Sequence, residues 1–307
     1  MVAVLRTPDE RFAGLTEAGE AAYADVPFLD DQPTRMDYLD VSPSDSAMDG
    51  EPGVVVLLHG EPTWSYLYRT MIPVLTGAGL RVVAPDMIGF GRSDKPAAVS
   101  DHTYARHVSS LKALLVDHLR LSDATVVGQD WGGLIGLRLA TENDGLFGRI
   151  VAANTGLPTG DHSMPDIWWA MRHAMETAPE LQIGRAVAAG CVRGLSEADR
   201  AAYDAPFPDE SYKAGPRAMP GLVPVSPDDP ATEANRAAWQ VLAGWQKPFL
   251  VAFSDSDPIS GAMAPVFHKL VPGTRGYQHP TIAQAGHFLQ EDAGPELADE
   301  VVRFIRA

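Results

Sequence analysis

Cysteine is almost absent from this chain of 307 residues: Cys191 stands alone. A single thiol closes no internal disulfide and builds no cysteine metal cluster, which fits a reducing cytosol and chemistry without a cofactor. Positive charge is also scarce, 24 Lys and Arg against 40 Asp and Glu, for a formal charge of -16. Such a surface repels polyanions, so neither nucleic acid nor an anionic membrane is an expected partner. No apolar run approaches the roughly 20 residues of a membrane span, and the stretch from Met1 to Phe12 meets charge and proline early. The expectation is a soluble, cytoplasmic monomer acting on a small molecule, with no metal and no other cofactor.

Apolar residues make up 45% of the chain, enough to bury a large core with a subdomain attached. Gly53–Gly60 is a short continuous apolar run ending in glycine, as expected for a strand buried on both faces, and Leu80–Ala84, Ala124–Gly128, Ile150–Ala153 and Phe249–Phe253 repeat the type. Segments of helical length, Tyr66–Ala78 and Ala105–Leu119, lie between them, the alternation that builds a parallel sheet covered by helices. From about Thr155 to Pro224 the strand runs stop. Trp168–Thr177, Leu181–Gly190 and Ser196–Asp204 read there as helices between proline-rich turns, and Pro295–Ile305 reads as a closing helix. The division predicted is a core over residues 1–154 and 225–307 with a helical cap over 155–224.

Val126-Val127-Gly128-Gln129-Asp130-Trp131-Gly132-Gly133 carries the chemistry. An apolar strand runs into Gly-x-Asp-x-Gly and then a helix, the nucleophile-elbow pattern of the α/β-hydrolase fold with aspartate where serine usually stands. A helix cap alone would not require glycine on both sides. Serine needs a base to remove its proton, whereas a carboxylate is already anionic at neutral pH and attacks directly. Asp130 therefore suits displacement at a saturated carbon, giving an alkyl ester that water, activated by a histidine, must then cleave. Of nine histidines, His287 stands in a Gly-His loop before the closing helix, last in the chain order of the fold. The acid orienting it should follow a late strand. Asp257, followed by Pro258-Ile259, is preferred, and Asp255 is the alternative. His59-Gly60-Glu61 follows an early strand, so the backbone N–H groups of Glu61 and Trp131 are the expected oxyanion donors.

At these residues the chain resembles the haloalkane dehalogenases. The likeness runs through Leu5–Asp9, His59-Gly60-Glu61-Pro62-Thr63-Trp64, Ile88–Pro96, Gln129–Gly133, Tyr203–Asp209 and Gly286-His287-Phe288, over nearly the whole chain. It implies an α/β-hydrolase fold with an inserted cap, and hydrolysis of a small halogenated aliphatic substrate to alcohol, halide and a proton. It also implies the branch whose acid follows the late strand and whose second halide-binding tryptophan lies in the cap. Trp131 is then the first halide donor, since indole gives a hydrogen bond without exchanging a proton. For the second, Trp169 is taken first and Trp168 next, while an ungapped comparison puts Met171 there. Epoxide hydrolases share the aspartate elbow but need acidic donors, for which Tyr203 and Tyr212 in the cap are the candidates. A ligand-binding protein that has kept the shell is a third reading, against which Asp130, Asp257 and His287 all stand intact.

Overall fold

The computed structural model describes residues 3–15, 19–30, 32–43 and 53–307. Among them the main sheet has seven strands: β1 (Ala21–Val26), β2 (Thr34–Val41), β3 (Val54–Leu58), β4 (Arg81–Pro85), β5 (Ala124–Gln129), β6 (Phe147–Ala153) and β7 (Phe249–Val251), in the order β1-β2-β4-β3-β5-β6-β7. β2 runs antiparallel to β1 and β4, and the rest are parallel. The chain thus has the α/β-hydrolase architecture. β3 and β5 are valine-rich and almost wholly buried, the composition of interior strands covered on both faces. β1 and β2 escape the sequence reading because Asp25, Asp37 and Asp40 interrupt their apolar residues.

Ten α-helices are described: α1 (Ile72–Gly77), α2 (Tyr104–Lys112), α3 (Trp131–Glu142), α4 (Asp166–Thr177), α5 (Ile183–Ala189), α6 (Glu197–Asp204), α7 (Ala214–Leu222), α8 (Thr232–Leu242), α9 (Ala264–Leu270) and α10 (Leu289–Arg306), the last bent at Ala293. Side-chain caps mark some starts: Thr103 accepts from the N–H of Arg106, and Ser196 from that of Asp199. The expected helix Ala105–Leu119 divides into α2 and a wider π-helical stretch, Ala113–His118. Tyr66–Ala78 divides into a 3-10 turn, Ser65–Tyr68, and α1. α7 carries Pro216 and Pro220, and α7, α8 and α9 were not foreseen. α4 to α7 follow one another between β6 and α8 without a strand. α8 returns to the core against α3, where Arg138 donates to Asn235 at 3.1 Å. No described helix is long and apolar enough to cross a membrane.

Strand register places the site. Leu58 lies opposite Gly128, and Gln129 opposite Ala153, so the loops beginning at His59, Asp130 and Asn154 leave the sheet at one edge. Beyond β7, Phe253–Ser254 pairs in parallel with Thr281–Ile282, bringing the loops that carry Asp257 and His287 side by side.

Candidate active site

Asp130 sits between β5 and α3 at φ 48° and ψ -123°, a conformation that costs energy for any residue with a side chain. Tight packing sustains it. A Cβ on Gly132 would fall 1.9 Å from the carbonyl oxygen of Leu58, and one on Gly128 would fall 2.6 Å from the Cα of Gly133. The elbow can form only with glycine at both positions, which is the physical content of the motif.

The carboxylate is held on two sides. The N–H of Glu61 donates to Oδ1 at 2.8 Å, and Nε2 of His287 lies 3.4 Å from Oδ2. No hydrogen bond from the N–H of Trp131 to this carboxylate is found among the described residues. On its other side, Nδ1 of His287 is 3.0 Å from Oδ1 of Asp257. Asp257 also accepts from the N–H groups of Ile259 and Ser260 and from the Ser260 hydroxyl. Asp255 lies apart from the imidazole and accepts from the N–H groups of Gln284 and Ala285.

Burial alone would lower the pKa of His287, but the charge of Asp257 and the contacts of both carboxylates override it and push it up to about 10. Burial alone would raise Asp257, yet the imidazolium and its hydrogen-bond donors hold it down at about 2. Glu61 is buried at 6% exposure with Oε1 unpartnered, and burial, then the charge of Asp130, push its carboxyl well above the usual range.

Two amides to which the sequence reading gave no role hold this arrangement together. Asn154 takes the N–H of Asp130 on its carbonyl at 3.1 Å. Its side chain donates to Ser254 Oγ and the carbonyl of Gly286 at 2.8 Å and to that of His287 at 3.1 Å, and accepts from the N–H of Ser254. It joins all three functional loops. Gln129 Nε2 lies 3.2 Å from both the carbonyl oxygen and Nε2 of His287. The available signals were the strand-end position of Asn154 and the place of Gln129 beside Asp130.

Asp130, Glu61 and Trp131 face a cavity of about 680 Å³ whose walls include Leu134, Met164, Met171, Val223, Met263 and Leu270. Three tryptophans line it: Trp131, Trp168 and Trp239. The indole N–H of Trp239 is committed to the carbonyl of Leu157 at 2.8 Å, whereas no protein acceptor is found for Trp131 or Trp168 among the described residues. Tyr104, its hydroxyl fixed on Leu134, packs edge-on against Trp131 at 4.9 Å. Trp169 does not line the cavity; it is 43% exposed, while Trp168 beside it is 3% exposed. Neither Tyr203 nor Tyr212 lines it, and the Tyr203 hydroxyl is engaged by Glu291.

Residues 53–294 match the family model of the α/β hydrolase fold. The chain is 51% identical to the haloalkane dehalogenase of Psychrobacter cryohalolentis, over 98% of each chain. It is 52% identical to that of Mycobacterium marinum, over 97% of this chain and 98% of the relative. Among solved structures, the tetrameric haloalkane dehalogenase of Paraglaciecola agarilytica NO2 superposes with a TM-score of 0.87 at 36% identity, over 97% of each chain.

Proposed function

The chain belongs to the haloalkane dehalogenases, hydrolases of carbon–halogen bonds on the α/β-hydrolase fold, and from that membership we propose how its own residues divide the work. Asp130 is the nucleophile. Its Oδ1 is held by the amide of Glu61, so Oδ2 attacks the halogen-bearing carbon; the C–O bond forms as the C–halogen bond breaks, and the halide leaves with the electron pair. The indole N–H groups of Trp131 and Trp168 receive the halide, since both line the cavity with no protein acceptor of their own while that of Trp239 is already used. This reading sets Trp168 ahead of Trp169.

The ester formed on Asp130 carries no charge. With one of its two carboxylate partners neutralised, the imidazolium of His287 loses part of what raises its pKa, and the adjacent Gln129 amide favours an unprotonated Nε2. His287 then takes a proton from water as the oxygen adds to the ester carbon. The developing oxyanion stays on the Glu61 amide and gains that of Trp131. Collapse expels the alcohol, protonated by His287, and the new carboxyl gives up its proton. Asp257 holds the imidazole in the tautomer this requires. Glu61, in the cavity wall, is placed to hold the attacking water.

Residues 155–224 serve as the cap over the cavity. The single cysteine and acidic surface support a cytosolic monomer, which size-exclusion chromatography tests. The observation that carries the dehalogenase chemistry over epoxide opening is the cavity itself, which offers indole N–H donors and no tyrosine hydroxyl among its described lining residues. Single turnover of 1-bromobutane in oxygen-labelled water is the test. Label in the Asp130 carboxylate is expected, and label only in butanol would refute the covalent route. An epoxide of similar size, run in parallel, should give no diol.

A further inference from the structure

Asp292 lies in the first turn of α10, 4% exposed, and the described residues pair no lysine or arginine with it. A buried carboxylate is costly unless strong donors meet it. Three backbone amides do. Oδ2 accepts from the N–H of Gly286 at 2.8 Å and of Val192 at 2.9 Å, and Oδ1 from the N–H of Arg193 at 2.6 Å. The guanidinium of Arg193 turns away to Glu296 and the carbonyl of Ala283.

Gly286 immediately precedes His287, and Val192 and Arg193 follow α5. The N–H of Phe288, on the other side of His287, donates to the carbonyl of Gly190 at 3.4 Å. A Cβ on Gly286 would fall 2.3 Å from that same carbonyl oxygen, so the approach of the two segments requires glycine. The loop bearing the imidazole is therefore stitched on both flanks to residues 190–193, and a single carboxylate ties three of the amides.

We propose that Asp292 is a positioning residue for His287, fixing the imidazole for ester hydrolysis by locking Gly286 to Val192 and Arg193. The proposal rests on the reading of His287 as the base. It predicts a selective defect. Asp130 is held by Glu61, Asn154 and Thr155, none of which hydrogen-bonds to Asp292, so displacement of halide survives the loss of this anchor while hydrolysis of the ester does not. The part of the cap following α5 also cannot shift without carrying the base with it.

The test is rapid mixing of the full chain with excess 1-bromobutane, reading halide release and intact mass, for the parent, Asp292→Asn, Asp292→Ala and His287→Ala. For Asp292→Ala, the expected result is a halide burst within about threefold of the parent, turnover at least about tenfold slower, and butylated enzyme accumulating. Asp292→Asn keeps one acceptor oxygen and should fall between Asp292→Ala and the parent; being isosteric, it carries the same reading if the alanine variant does not fold. Burst and turnover slowed by one common factor, or turnover unchanged, would overturn the positioning role. His287→Ala should trap the butyl ester. Parent-like turnover there would overturn the base itself, whereas trapping there together with parallel losses in the Asp292 variants would overturn only the role of Asp292.

Discussion

At the end of the cavity that holds Asp130, backbone and side-chain hydrogen bonds fix the groups in place, whereas the side lined by α4 meets the cavity mainly through apolar surfaces. Glu61, Asn154, Gln129 and Asp257 each contact Asp130 or His287 through groups anchored at strand ends. Met164, just ahead of α4, and Trp168 and Met171 on it bring mainly apolar surface, with Trp169 and Ile167 of α4 turned to solvent. Hydrogen bonds impose distances and angles, while apolar contacts tolerate exchange of similar volume. On the proposed reading, the strand-end loops carry the displacement and ester hydrolysis, while α4 shapes the cavity and offers one indole N–H to the halide.

The strongest way to break that contrast is to remove the proposed nucleophile. Asp130→Ala should lower halide release from 1-bromobutane by at least about ten-thousandfold, because it removes the carboxylate oxygen proposed to displace the halide. Residual release within about tenfold of the parent would mean that Glu61 or water does the displacement. Asn154→Ala comes next. It strands the N–H of Ser254 and leaves the carbonyls of Gly286 and His287 without its amide, so a loss of stability of about 2–3 kcal/mol is expected in chemical denaturation. An unchanged midpoint would show that the loops hold without it.

The legibility of the sequence follows the same division. Steric necessity writes itself into a short span: Gly128 and Gly132 must be glycine around Asp130, and valine-rich β3 and β5 must be buried, so the elbow and the inner sheet could be located from local pattern. Asp257 was preferred to Asp255 on the Pro258-Ile259 that follows it, but both come after the same strand, and only the fold shows Asp257 against the imidazole and Asp255 on the N–H of Gln284. Asn154 meets Gly286, and Asp292 meets Val192, across 132 and 100 residues of chain, respectively, separations that no local spacing reveals. Trp168 and Trp169 differ only in which face of α4 points inward. The two main-sheet strands ahead of residue 53 were missed because aspartates break their apolar pattern.

Charge separates the two regions under a change of pH. His287 has a folded pKa of about 10 against about 6.5 when unfolded, so its contribution to stability is complete below pH ~6.5 and is lost as pH rises through about 10. Asp257, at about 2 when folded and about 3.9 unfolded, contributes above pH ~3.9 and loses that contribution as pH falls through about 2. Together they favour the fold most between pH ~4 and ~6.5. The Tm of the parent should therefore decline more steeply between pH 6.5 and 10 than that of Asp257→Asn, in which the imidazole loses its charged partner. Equal slopes would remove the ion pair as the cause. Variants on α4 should keep the parent slope.

The finest distinction falls within α4. Trp168 and Trp169 are neighbours in sequence and pack edge-on at 4.9 Å, yet one faces the cavity and the other solvent. Phenylalanine keeps most of the apolar surface and removes the N–H. If the leaving halide takes its second hydrogen bond here, Trp168→Phe should lower kcat/KM for 1-bromobutane by about tenfold, the worth of one hydrogen bond to a charged group. Trp169→Phe should stay within about twofold. Inhibition by added bromide should weaken in Trp168→Phe alone, since only a donor to the free anion affects that equilibrium. The reverse order would mean that α4 turns its other face to the cavity when halide is bound; equal and small effects would leave Trp131 as the sole indole donor and reduce Trp168 to part of the wall.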